Sequence, residues 1–77
     1  MVHAFVMVGT EAGTPQDVRD TLETVGAVTE AHVVAGEYDL IVEVSASAVY
    51  DVLDVATDDI QGIEGVVETK TYVSMSD

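Results

Sequence analysis

The sequence predicts an α+β fold with the element order strand–helix–strand–strand–helix–strand. Three observations carry that prediction. Four runs rich in β-branched residues begin at Val2, Val28, Asp39 and Val66, and two segments with apolar residues at helical spacing separate them. A helix-closing Gly followed by a strand occurs twice, as Gly26-Ala27-Val28 and Gly65-Val66-Val67, so the chain reads as two β-α-β halves. Between the halves lies Gly36-Glu37-Tyr38-Asp39, a hairpin signature. Gly reaches positive φ without strain, and Asp bonds nearby backbone in turns.

The first strand, residues 2–9, is apolar on both faces: Val2, Ala4, Val6 and Val8 on one, His3, Phe5 and Met7 on the other. Such a strand expects cover on both sides. Thr14-Pro15-Gln16-Asp17 reads as a helix start, with Thr14 as cap and Pro15 in the first turn. Val18, Leu22 and Val25 then form one stripe, and Gly26 is the expected stop. Residues 28–34 form the second strand, with Glu30 and His32 on one side and Thr29, Ala31 and Val33 on the other. After the turn, residues 39–44 form the third.

Ser47 is the expected cap of a second helix over residues 48–61. Its apolar stripe is Val49, Val52, Leu53, Ala56 and Ile60, with Asp51, Asp54, Asp58 and Asp59 turned outward. Asp58 and Asp59 oppose the helix dipole at its C-terminus, which fits selection for surface acidity better than for helix strength. The last strand is expected over residues 66–75, with Val67, Thr69, Thr71 and Val73 sharing a face and a frayed end at Ser76 and Asp77.

The chain has 77 residues and no cysteine, so one domain without disulfides or thiolate metal sites is expected. Fifteen acidic residues face two basic ones, Arg19 and Lys70, for a formal charge of −13. That charge repels nucleic acid and anionic membranes, so neither is an expected partner. It also strains a compact fold until salt screens it, since the Debye length falls to about 3 Å at molar salt. An acidic surface over a Val/Ala core suggests a halophilic protein. No apolar run approaches the roughly 20 residues of a membrane span, and no signal-peptide layout opens the chain, so a cytoplasmic location is expected.

Two right-handed crossovers would set both helices on one face of an antiparallel four-stranded sheet, the split β-α-β or ferredoxin-like arrangement. The other face stays bare and carries part of the apolar set of the first strand. An uncovered face of this kind is a partner site, and dimerisation through the sheet is expected.

The stretches Val33-Val34-Ala35-Gly36-Glu37-Tyr38-Asp39-Leu40, Ile60-Gln61-Gly62-Ile63-Glu64-Gly65-Val66 and Glu68-Thr69-Lys70-Thr71-Tyr72-Val73 resemble the C-terminal effector (RAM) domain of the Lrp/AsnC, or feast/famine, transcriptional regulators. The resemblance covers essentially the whole chain. It implies a stand-alone effector domain over residues 1–77, of haloarchaeal type, without a helix-turn-helix. It further implies homodimers built sheet to sheet, rings of four or five dimers (octamer or decamer), and a small effector, commonly an amino acid, bound between dimers. Carried onto this sequence, the ligand-binding residues are Gly36, Tyr38, Asp39, Thr69 and Thr71. The chemistry suits a zwitterion: Asp39 for the ammonium, backbone N–H groups near Gly36 for the carboxylate, and two same-face hydroxyls.

No cofactor, metal or catalytic residue is expected. His3 and His32 lack a third ligand, and no phosphate loop or nucleophile triad appears. Two other readings stay open: a ligand-free assembly module that joins full-length Lrp/AsnC regulators, and a small ferredoxin-like enzyme.

Overall fold

The computed structural model describes residues 1–76; the fraying expected of Asp77 lies outside them. The chain runs β1 (Val2–Thr10), α1 (Pro15–Leu22), β2 (Val28–Val33), β3 (Leu40–Ala46), α2 (Val49–Asp54), a π-helical segment (Val55–Ile60) that continues α2 directly, and β4 (Val66–Val73). The strands form one sheet in the order β2-β3-β1-β4, and every neighbouring pair is antiparallel. This is the ferredoxin-like βαββαβ topology that the sequence pattern predicts. Central strand β1 joins the two halves: Val6 faces Val42 of β3 on one side and Thr71 of β4 on the other.

One sheet face and both helices make the core. Ala4, Val6 and Val8 of β1 and Leu40, Val42 and Val44 of β3 are fully buried. Val6, Val8, Leu40, Val42 and Val44 cluster with Val18 and Leu22 of α1 and with Ala56 and Ile60 of the π-helical segment. The cluster is aliphatic throughout. Phe5 stays 39% exposed because strand alternation turns it to the other face. That face holds His3, Phe5 and Met7 of β1, the partly buried Ile41 and Glu43 of β3, and Tyr72 of β4, 54% exposed. No other element among the described residues covers it.

Several local expectations are corrected. Helix α1 ends at Leu22, before Gly26, because Thr24 and Val25 fold back through backbone bonds to Thr21 and Leu22. Thr14 does not cap with its side chain; its hydroxyl donates to the Glu11 carbonyl at 2.8 Å. Position Ala48, rather than Ser47, is the N-cap of α2, again without a side-chain bond. Gln61 N–H donates to the Ala56 carbonyl, five residues back, which is the wider π geometry. Val52, Ala56 and Ile60, four residues apart, form the buried side of the continuous helix. Val49 and Leu53, expected in the stripe, are instead 48% and 45% exposed.

The connection from the second helix to β4 depends on Gly65, whose φ is +100°. A Cβ there would sit 3.1 Å from Val18 Cγ2 and 3.2 Å from Thr14 Oγ1, so α1 and this turn pass each other at glycine distance. Gly36 departs from expectation: its φ is not positive, and a Cβ on it would meet nothing within 4 Å. The hairpin therefore does not require glycine for conformation. What glycine gives there is an exposed, unshielded backbone.

Candidate functional site

The connection between β2 and β3 is closed by backbone rather than by a tight two-residue turn. Val34 N–H donates to the Asp39 carbonyl at 2.9 Å, and Asp39 N–H donates to the Val8 carbonyl at 2.9 Å. Ala35, Gly36 and Glu37 are exposed, while Tyr38 and Asp39 are half-buried. The turn leans on the bare sheet face, where Met7, Ile41 and Tyr38 help line a shallow apolar cleft.

Asp39 is the anchored member. Its Oδ2 accepts from the Thr10 backbone N–H at 2.8 Å and from the Thr10 hydroxyl at 3.2 Å. The β1–β4 register slips between Gly9 and Thr10, and this carboxylate takes up the N–H at that irregularity. Both bonds use the same oxygen; among the described residues Oδ1 accepts no hydrogen bond from the chain. The carboxylate is thus held in position with one oxygen open.

Thr69 and Thr71 lie elsewhere. They pair with Val8 and Val6, whose side chains are in the core, so both hydroxyls belong to the helix-covered side of edge strand β4. Both threonines are half-buried. The Thr69 hydroxyl accepts from Gln61 Nε2 at 3.0 Å, at the end of the second helix. Gly36 and Tyr38 line the cleft on the bare face and Asp39 follows them in the chain with its carboxylate on Thr10, whereas Thr69 and Thr71 belong to the helix-covered side. One copy of the chain does not bring them into a common pocket.

Two partners were missed from sequence, Thr10 and Gln61. Thr10 is 29 residues from Asp39 and carries no local signal; only the sheet register links them. Gln61 stands inside a motif stretch, and the turn over residues 62–65 brings it back to Thr69. Acidic side chains dominate the rest of the surface. Asp17, Asp58, Asp59 and Glu64 line an open cleft between α1 and the end of the second helix. Among the described residues no group of three or more His, Cys, Asp or Glu is placed to hold a metal ion. No helix among them is long and apolar enough to cross a membrane.

The structure is a small βαββαβ domain whose four-stranded sheet has one bare face and a polar turn at its rim. The family description "Lrp/AsnC ligand binding domain" matches residues 3–77, and the chain belongs to that family. The family is regulatory rather than enzymatic. Among curated relatives, an uncharacterized helix-turn-helix-type transcriptional regulator of Pyrococcus horikoshii is 36% identical over 61 residues, 79% of this chain and 41% of that protein. The chain thus spans about two-fifths of the length of the curated relatives it matches. The crystal structure of FFRP-DM1 superposes with a TM-score of 0.91 at 36% identity, covering 97% of this chain and 100% of that one. A hypothetical protein from Pyrococcus horikoshii gives 0.90 at 35% identity, with 100% and 93% covered. Two more distant regulators share the fold and are known as L-methionine complexes. One, from Neisseria meningitidis, is 15% identical with a TM-score of 0.82 (99% of this chain, 51% of that one); the other, from M. tuberculosis, is 22% identical with 0.84 (100% and 52%).

Proposed function

We propose that this domain binds an amino-acid effector where dimers meet, and that effector occupancy tunes ring assembly and so, indirectly, transcription. The ligand shell is Gly36, Tyr38 and Asp39 from one copy with Thr69 and Thr71 from another. Copies pair sheet to sheet, and pairs close into octameric or decameric rings in the cytoplasm. Full-length Lrp/AsnC regulators are further candidates for co-assembly.

The observation that carries this reading is the state of Asp39. Oδ2 is committed to Thr10, Oδ1 accepts no hydrogen bond among the described residues, and Gly36, in the same turn, has an exposed backbone. A fixed carboxylate suits an ammonium, and unshielded N–H groups suit a carboxylate. The separation of the two threonines from this turn favours a shell completed by another copy. L-methionine complexes of two relatives with this fold agree with an amino-acid ligand.

Pairing through the sheet has its own support. The bare face carries Lys70 on edge strand β4 and Glu30 on edge strand β2. Phe5, Met7, Ile41 and Tyr72 give the same face apolar area that a second copy would cover.

Titration calorimetry at molar salt against the common amino acids tests the reading. Saturable heat for at least one, abolished in Asp39→Asn, is the expected result. Asparagine keeps an acceptor for Thr10 but loses the charge. Silence across the panel would reject the sensor reading and leave the ligand-free assembly module.

A further inference from the structure

The sheet has two edges, β2 and β4, and they are finished differently. Along an antiparallel strand, residues alternate between bonding the neighbour and turning N–H and C=O away from it. Val34 N–H bonds the Asp39 carbonyl at the end of the β2–β3 pair, so Val33 and Ala31, one and three positions back, turn their backbone groups outward. Earlier in the strand, a register shift between Val28 and Glu30 interrupts the edge. Ala31 and Val33 are therefore the regular rungs that β2 offers to another strand.

One of those rungs is already taken. Arg19 of α1 reaches over the edge, and its Nε donates to the Ala31 carbonyl at 3.0 Å. Glu23, one helical turn on, steadies the guanidinium, with Oε2 3.4 Å from Nη2. An added strand would run about 4.8 Å from β2 and place its own N–H where Arg19 Nε now sits. Gln16, Arg19, Ala31, His32 and Val33 line the shallow cleft that remains there. On β4, Thr69, Thr71 and Val73 turn outward in the same way, since Ser74 N–H bonds the His3 carbonyl. Among the described residues, the side-chain bond made at β4 joins Thr69 to Gln61 and leaves those outward backbone groups alone.

We propose that Arg19 is an edge guard: it keeps β2 from taking up the β2 strand of another copy. An unpaired edge is a template for strand addition, and a protein has few ways to close one. In dilute buffer the formal charge of −13 holds copies apart. At molar salt the Debye length is about 3 Å, and that repulsion no longer protects an open edge. A hydrogen-bonded cap does not depend on long-range repulsion. One of the chain's two basic side chains stands at this edge, where it fills the acceptor that an incoming strand would need. The guard acts at the β2 edge alone and is independent of how copies meet elsewhere.

The test is sedimentation velocity of wild type and Arg19→Ala at molar KCl, with native far-UV CD verified, alongside amide hydrogen exchange. Arg19→Ala makes the chain more negative by one charge, so charge alone predicts less association. The guard predicts more: the mean mass should grow several-fold over wild type as concentration rises. The Val33 amide, open in wild type, should then exchange about tenfold or more slowly. Lowering the salt should reverse the growth by restoring repulsion. Adding Val33→Pro to Arg19→Ala removes an outward N–H and no ladder bond, and should return the variant to wild-type size. The same readings on Arg19→Met, which keeps the stem without the donors, cover the case in which Arg19→Ala does not fold. Wild-type size in the variants at molar salt, growth without slowing at Val33, or growth that Val33→Pro leaves unchanged would overturn the proposal.

Discussion

Replacing Asp39 with alanine removes the bonds that tie the β2–β3 connection to the end of β1. The carboxylate accepts two hydrogen bonds from Thr10, at 2.8 and 3.2 Å, the shorter from a part-buried backbone N–H at a register slip. A hydrogen bond to a charged acceptor is worth about 1.5–3 kcal/mol, and a donor left unpaired in a partly dry site loses a similar amount. Because Asp39 is half-buried, water repairs part of the loss, and a net cost of about 1–2 kcal/mol is expected. For a domain of this size each kcal/mol lowers the melting temperature by about 4–8 °C, so Asp39→Ala should melt roughly 5–15 °C lower. Asp39→Asn, whose amide oxygen still accepts from Thr10, should melt within a few degrees of wild type. Both should lose effector affinity, since the charge facing the ammonium is gone. The assay is thermal unfolding by CD at molar salt, alongside calorimetry. Were Asp39→Ala to melt like the parent, the Thr10 anchor would be dispensable and the argument for a fixed carboxylate would fail.

Other outcomes follow from the same structure. Gly65→Ala forces a Cβ 3.1 Å from Val18 at φ +100° and should cost about 1–3 kcal/mol, read as a lower urea midpoint. Ile60→Ala empties a fully buried site between the helix and the sheet; a loss of about 2–5 kcal/mol leaves little folded protein at low salt, visible by CD. With a formal charge of −13, thermal stability should climb steeply as KCl rises to the molar range, and a melting temperature unchanged from millimolar buffer would dismiss the halophilic reading. Thr69→Val frees Gln61 Nε2 at the helix end; it should weaken effector binding several-fold while shifting stability by less than about 1 kcal/mol, checked by paired calorimetry and melting.

The element order, the sheet and the core face were legible because alternation and helical spacing are strong signals when core and surface are this distinct. Ala4, Val6 and Val8 against His3, Phe5 and Met7 is one such case. The bare face followed from topology, since both crossovers share one hand. What sequence could not resolve is local geometry under tertiary control. Of the expected stripe, Val52, Ala56 and Ile60 are buried while Val49 and Leu53 are not, and nothing in the residue pattern signals the π-helical segment that closes the helix. Thr14 and Ser47 looked like caps, yet neither side chain caps. At the candidate site, the turn was legible as residues 36–39. The Thr10 anchor was not, because a partner 29 positions away becomes adjacent only once β3 lies beside β1. Likewise, Thr69 and Thr71 were legible as sharing a face, but which face they share depends on the β1–β4 register.

Diffraction from crystals grown with the amino acid that gives the largest heat addresses the shared-site claim head on. Electron density bridging Asp39 Oδ1 of one copy and Thr69 of another, across a contact between sheet-paired dimers, is the outcome that follows from the arrangement described above. Ligand density confined to the acidic cleft between the helices of a single copy, or no density at a saturating concentration, would contradict it.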